Sequence, residues 1–167
     1  MTKPQKIIII ILAVLLAGLL AAAAVIFATR QLPEPVVNAF VPPQFDAAAQ
    51  TGIPDALDES LSYGTLELTP TAIVSMCANV NVENNAAQVY LTNHEGNQGW
   101  IKIKLLDEDG ALLGQSGLLR PGQYVQWVEL SAVPQKDGLV AAKILIYEPD
   151  TYLSLGSASA QVMLLAQ

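Results

Sequence analysis

Residues 7–28 (IIIIILAVLLAGLLAAAAVIFA) carry no charge and no strongly polar side chain, and Lys3, Lys6 and Arg30 flank them. A helix rises about 1.5 Å per residue, so such a run matches the roughly 30 Å hydrocarbon core of a bilayer, and the flanking bases reach the headgroups. The expectation is a transmembrane signal anchor over residues 7–28, behind a cytoplasmic tail of residues 1–6. A cleaved signal peptide is the rival, since Ala22 and Ala24 form an A-x-A pattern behind a positive amino terminus. Apolar cores of signal peptides run about 7–15 residues, and this one is longer.

Charge sets the orientation. Lys3 and Lys6 precede the run, whereas Arg30 is followed by Glu34 and by no further base until Lys102. The short tail is therefore expected inside and the rest of the chain outside, on the surface of the cell. Residues 31–167 hold Lys102, Lys104, Arg120, Lys136 and Lys143 against all fifteen acids, a net charge of −10. That balance disfavours nucleic acid and anionic headgroups as partners. Nothing ionisable lies in the apolar run, so a channel or proton relay has no residue to carry it. Ala13, Ala17 and Ala21, with Gly18 and Ala22, recur at four-residue spacing and form a candidate helix-packing face for a homo-oligomer.

Residues 29–63 contain Pro33, Pro35, Pro42, Pro43 and Pro54 without a sustained period of 2 or 3.6, the composition of an extended spacer. One helical turn is expected over residues 54–61, where Asp55, Asp58 and Glu59 suit its positive end. Whether that turn belongs to the spacer or docks on the domain after it stays open.

From Gly64 the texture changes to short alternating runs punctuated by Gly, Pro, Asn and Asp, which reads as a single all-β domain over residues 64–167, a sandwich or a barrel. Candidate strands are 65–68, 72–82, 87–92, 100–106, 111–116, 124–130, 139–147 and 159–165. In WIKIKLLD, Ile101, Ile103 and Leu105 face one way, while Trp100, Lys102 and Lys104 face the other and are expected to be wet. Gly110 is placed to close a hairpin after Asp107, and Arg120-Pro121-Gly122-Gln123 has the Pro and Gly positions of a type II turn.

Little in this domain points to chemistry. His94 is the one histidine of the chain, set in the polar segment Asn93-His94-Glu95-Gly96-Asn97-Gln98 and expected to be a solvated loop residue. Neither it nor the acids of residues 107–109 supply the converging ligands of a metal site. Cys77, the only cysteine, sits in an apolar run; burial is the leading reading, and an intermolecular disulfide is the alternative. No nucleophile elbow, P-loop or dinucleotide fingerprint occurs, so neither an enzyme nor a cofactor is expected. Trp100 on the solvent side of its strand, with His94, Glu95 and Asn97, forms the candidate set of partner contacts.

The segment Tyr90-Leu91-Thr92-Asn93, then Glu95-Gly96-Asn97, the WIKIKLLD strand, and residues 117–125 (GLLRPGQYV) together resemble small signal-anchored proteins of Gram-positive bacteria of the clostridial type. The resemblance covers residues 68–147. It implies an immunoglobulin-like sandwich of 7–8 antiparallel strands behind one transmembrane helix, with no catalytic residues. Those proteins often carry Pro where this chain has His94.

Two functions are expected on these grounds. The first is a membrane-anchored surface module that binds a protein or a cell-wall component. The second is a structural subunit of a surface filament, secretion or conjugation-type envelope assembly.

Overall fold

The computed structural model describes residues 3–29, 40–55, 57–68, 72–132 and 134–166. It divides into two compact units, Met1–Phe40 and Val41–Gln167. The first is the helix α1, Lys3–Thr29. Its side chains are described at positions 4, 5, 12–23 and 25, and all of these are exposed. Among the described residues no helix is long and apolar enough to cross a membrane. Most of the expected spacer before residue 40 lies outside the described residues.

The second unit is all β. Its strands are β1 (Gln50–Thr51), β2 (Tyr63–Leu68), β3 (Ala72–Cys77), β4 (Asn79–Glu83), β5 (Ala86–Asn93), β6 (Trp100–Leu106), β7 (Leu112–Gln115), β8 (Gln123–Glu129), β9 (Gly138–Tyr147) and β10 (Ser154–Ala166). All eight expected runs are strands, and the run at 72–82 is two. The chain bends at Ala78 between β3 and β4, so that β3 pairs one end of β5 and β4 pairs the other. Asn84 and Asn85, at φ 48° and 64°, turn the β4–β5 hairpin. Left-handed conformation at both central residues is what a two-residue hairpin demands, and Asn tolerates it.

The strands join in the order β1-β8-β5-β4-β10-β9-β6-β7, with β2 and β3 branching from β5. One pairing is parallel: β10 runs alongside β4, from Met163 opposite Asn79 to Ala166 opposite Val82. The sheet then curls until its ends meet, because Gly114 of β7 bridges Leu130 just beyond β8 and Ser131 N donates to Leu113 O. Only glycine fits there, since a Cβ on Gly114 would lie 2.4 Å from the carbonyl oxygen of Glu129. The pairing is therefore mixed rather than wholly antiparallel, and the described residues form ten strands where seven or eight were expected.

The alternating residues face inward as their period requires. Ile101, Ile103 and Leu105 meet Ala142, Ile144 and Ile146 from β9 and Val89, Leu91 and Val125 from β5 and β8, all in one core. Cys77 belongs to that core and is fully buried, and desolvation pushes its thiol up to about 11. Lys102 departs from expectation. It shares the outer face with Trp100 but is only 8% exposed, its ammonium donating to Gln115 Oε1 at 3.0 Å. A lysine stem can be buried in this way while its head keeps a polar partner.

The β unit begins well before Gly64. Gln44 O and Leu118 O accept from Leu118 N and Asp46 N, Phe45 bridges Leu118, and β1 pairs β8. A short 3-10 turn, Glu59–Leu61, is capped by Asp58, whose carboxylate accepts from Ser60 N at 2.8 Å. Those contacts hold the Asp58 carboxyl below its ordinary range. The turn foreseen at residues 54–61 thus shrinks to three residues, and its Leu61 is buried in the core.

Candidate functional site

Three connections gather at one end of the β unit. They are the loop 94–99 between β5 and β6, residues 116–122 between β7 and β8, and residues 148–153 between β9 and β10. Antiparallel alternation places them together, and backbone bonds hold residues 116–122 against both strands that flank the 94–99 loop: Ile101 N and Leu119 N each donate to the other's carbonyl, and Gly122 N donates to Asn93 O.

Two buried amides hold the 94–99 loop. Asn93 Nδ2 donates to the carbonyls of Gly99 and Leu119, both at 3.0 Å, and its Oδ1 accepts from Asn97 Nδ2 at 2.6 Å. Asn97 then treats Ile73 as a strand would: its Oδ1 accepts from Ile73 N at 2.8 Å and its Nδ2 donates to Ile73 O at 2.6 Å. The side chain stands in for a missing ladder partner, and every polar atom of the pair has an internal bond. Gly99 completes the hinge, for a Cβ there would meet Ile146 Cγ2 at 2.9 Å.

His94 is half-buried, in contrast with the solvated residue expected. Its Nε2 lies 2.7 Å from Ser75 Oγ, which lies 2.8 Å from Thr65 Oγ1. Ser75 is 2% exposed, so this chain of hydroxyls positions the imidazole from beneath. Beside His94, the exposed Glu95 faces the turn residue Gly122, whose φ of +75° realises the type II turn. Gln123 N closes that turn on Arg120 O.

An aromatic row crosses the same end. Arg120 sets its guanidinium 3.6 Å above the Phe45 ring; Phe45 meets Trp100 edge-on at 4.8 Å, and Trp100 meets Tyr152 at 5.2 Å. Trp100 is thus half-buried between two rings rather than standing alone on its strand. Tyr152 and Asp150 hold positive φ, 58° and 67°, in the β9–β10 connection.

Two grooves flank the 94–99 loop and share Ile73, Gly96 and Asn97. One, of about 610 Å³, is walled by Thr51, His94, Glu95, Arg120 and Gly122. The other, of about 950 Å³, is walled by Glu67, Gln98, Glu148 and Leu155. The first is lined by Glu95, His94 and Arg120 together, a polar set suited to holding a polar ligand.

Of the sequence-predicted contacts, His94 and Glu95 line the smaller groove, Trp100 stands in the aromatic row, and Asn97 is spent on the scaffold. Phe45, Arg120 and Tyr152 were missed. Phe45 lies in the Pro-rich stretch and reaches Trp100 across more than fifty residues, which no local period reports. The helix-packing candidates Ala13, Ala17, Gly18, Ala21 and Ala22 are exposed on α1, with open space where a Gly18 Cβ would stand. Among the described residues no group of three or more His, Cys, Asp and Glu could hold a metal ion. No family model matches the chain, and no curated protein is significantly similar to it.

Proposed function

We propose that this chain is a membrane-anchored, outward-facing binding module without catalysis, which takes its partner at the 94–99 loop end of the β domain. The observation that carries the reading is the smaller groove. His94, Glu95 and Arg120 line one space while a buried amide pair and an aromatic row fix the loops around it. Rigid scaffolds bearing loops at one end serve recognition because the loops vary while the sheet stays.

The strand pairings support an immunoglobulin-like reading of the fold. Taking β5, β6, β8, β9 and β10 as strands B, C, E, F and G, the B–E, C–F and F–G neighbours of that fold are the observed β5–β8, β6–β9 and β9–β10 pairs. The anchor rests on the uninterrupted apolar run of residues 7–28, which falls inside α1, and on the bases before it. Kinship with clostridial-type signal-anchored surface proteins is part of the same proposal and rests on the motifs of residues 90–125.

Nucleophilic catalysis has no support at this end. Ser75 is buried under His94 and bonds both it and Thr65, which supports a structural role for this pair. The exposed small-residue stripe of α1 favours the second reading, a filament or envelope-assembly subunit, and native mass measurement separates the two. A monomer in mild detergent excludes the filament, and a large homo-oligomer excludes the solitary module.

Binding is tested by a photo-crosslinking residue placed at Glu95 in cells making the full chain, with the same residue at Asp109, at the far end of β6, as control. Discrete adducts from position 95 and none from position 109 are expected. Equal adducts from both positions, or none from either, contradict the proposal.

A further inference from the structure

The register of the outer sheet face assembles a row that the net charge of the domain conceals. Lys104 of β6 sits directly opposite Lys143 of β9, Lys143 opposite Ser159 of β10, and Lys104 opposite Gln115 of β7. Residues opposite one another share a face, so Ser159, Lys143, Lys104 and Gln115 form one line across four strands. With strands about 4.8 Å apart, the line is about 14 Å long. Lys102, two residues back on β6, lies on the same face about 6.7 Å away and donates to Gln115 as well.

Two lysines facing each other across a ladder repel and weaken the pair. Acids outnumber bases threefold beyond residue 30, yet among the described residues no carboxylate pairs with Lys102, Lys104 or Lys143. Burial and the neighbouring Lys104 both pull the Lys102 ammonium below its ordinary range. The chain thus places three of its five outer bases together, at a cost in stability, and leaves them uncompensated.

We propose that this face is a second binding site, distinct from the loop end, for a linear polymer carrying a negative charge on each phosphate. Every side chain in the row can donate a hydrogen bond, and the row is extended across four strands, which fits a chain of charges better than a single ion. Lysine meets phosphate as a point charge that needs no forked geometry, and the one arginine of the domain stands elsewhere, over Phe45. The overall negative charge does not forbid the contact. Asp107 is three residues beyond Lys104, about 10 Å along the strand. That is near the screening length of about 8 Å at physiological ionic strength.

The full-length chain in neutral detergent, titrated with long-chain polyphosphate at low and physiological salt, tests the proposal. The expected result is binding that weakens with salt and falls at least tenfold in Lys104→Gln/Lys143→Gln, while Lys136→Gln, a base outside the row, leaves it unchanged. The same double variant should melt at an equal or higher temperature, because a repulsion has been removed. A lysine pair kept only for folding gives a lower melting temperature instead. Lys104→Arg/Lys143→Arg keeps the charge and should bind like the parent. Absence of binding at low salt, undiminished binding by the Gln variant, loss in the Arg variant, or tighter binding of polyglutamate than of polyphosphate each overturns the proposal. The last would assign the face to an acidic protein.

Discussion

Asn97 shows how much one side chain decides at this end of the molecule. Its amide gives Ile73 both an acceptor and a donor, and it closes on Asn93, so an aspartate in its place keeps the acceptor and loses the donors. Asn97→Asp should destabilise the domain by about 2–4 kcal/mol at neutral pH, because Asn93 Oδ1 loses its buried donor and a charge is buried beside it, and less at acid pH as the carboxyl protonates. Chemical denaturation at pH 7 and pH 4 checks both sign and trend. Cys77 makes the complementary case. Its thiol is held at about 11 in the folded protein, above the free value of 9.0. The unfolded chain therefore ionises first, and stability present below pH 9 falls as pH rises toward 11, by at most about 3 kcal/mol. Thiol-specific reagents should leave Cys77 unmodified in the native protein and react fully in denaturant; native reaction would contradict its burial.

At the scale of elements, the docking of residues 44–52 on the sheet is the feature with the sharpest steric signature. Gly117 N donates to Asp46 Oδ2 at 2.8 Å, and a Cβ on Gly117 would lie 2.4 Å from Asp46 N. Gly117→Ala should release this segment, raising amide hydrogen exchange at Asp46, Ala49 and Gly52, while β6 and β9 keep their protection. Uniform loss of protection would show that the segment is integral to the core. This docking was not legible in the sequence, because a Pro-rich stretch without period reads as spacer and its partners lie some seventy residues away. The strands were legible, since alternation at Ile101, Ile103 and Leu105 and the turn residues Gly110 and Gly122 are local signals. The break at Ala78 and the parallel β4–β10 pairing were not, because pairing partners are chosen by closure of the whole sheet. At the loop end, His94 and Glu95 could be picked out as polar residues between strands. The hydroxyl chain beneath His94 and the ring contacts of Phe45 and Tyr152 form only in the folded state.

For the whole molecule, the proposed role joins an apolar helix, an acidic all-β domain and a loop end with a lined groove into one displayed binding module. That role requires that the helix lie in a membrane with the β domain on the outer side. Cys77 is buried, so a single engineered cysteine reports its own location without interference from the native thiol. Intact cells making the full chain with Glu95→Cys, or separately Thr2→Cys, would be treated with a membrane-impermeant maleimide. Labelling of position 95 in intact cells, with position 2 labelled only after permeabilisation and the chain recovered in the membrane fraction, is the predicted result. The reverse pattern, or a chain that washes into the soluble fraction, would contradict it.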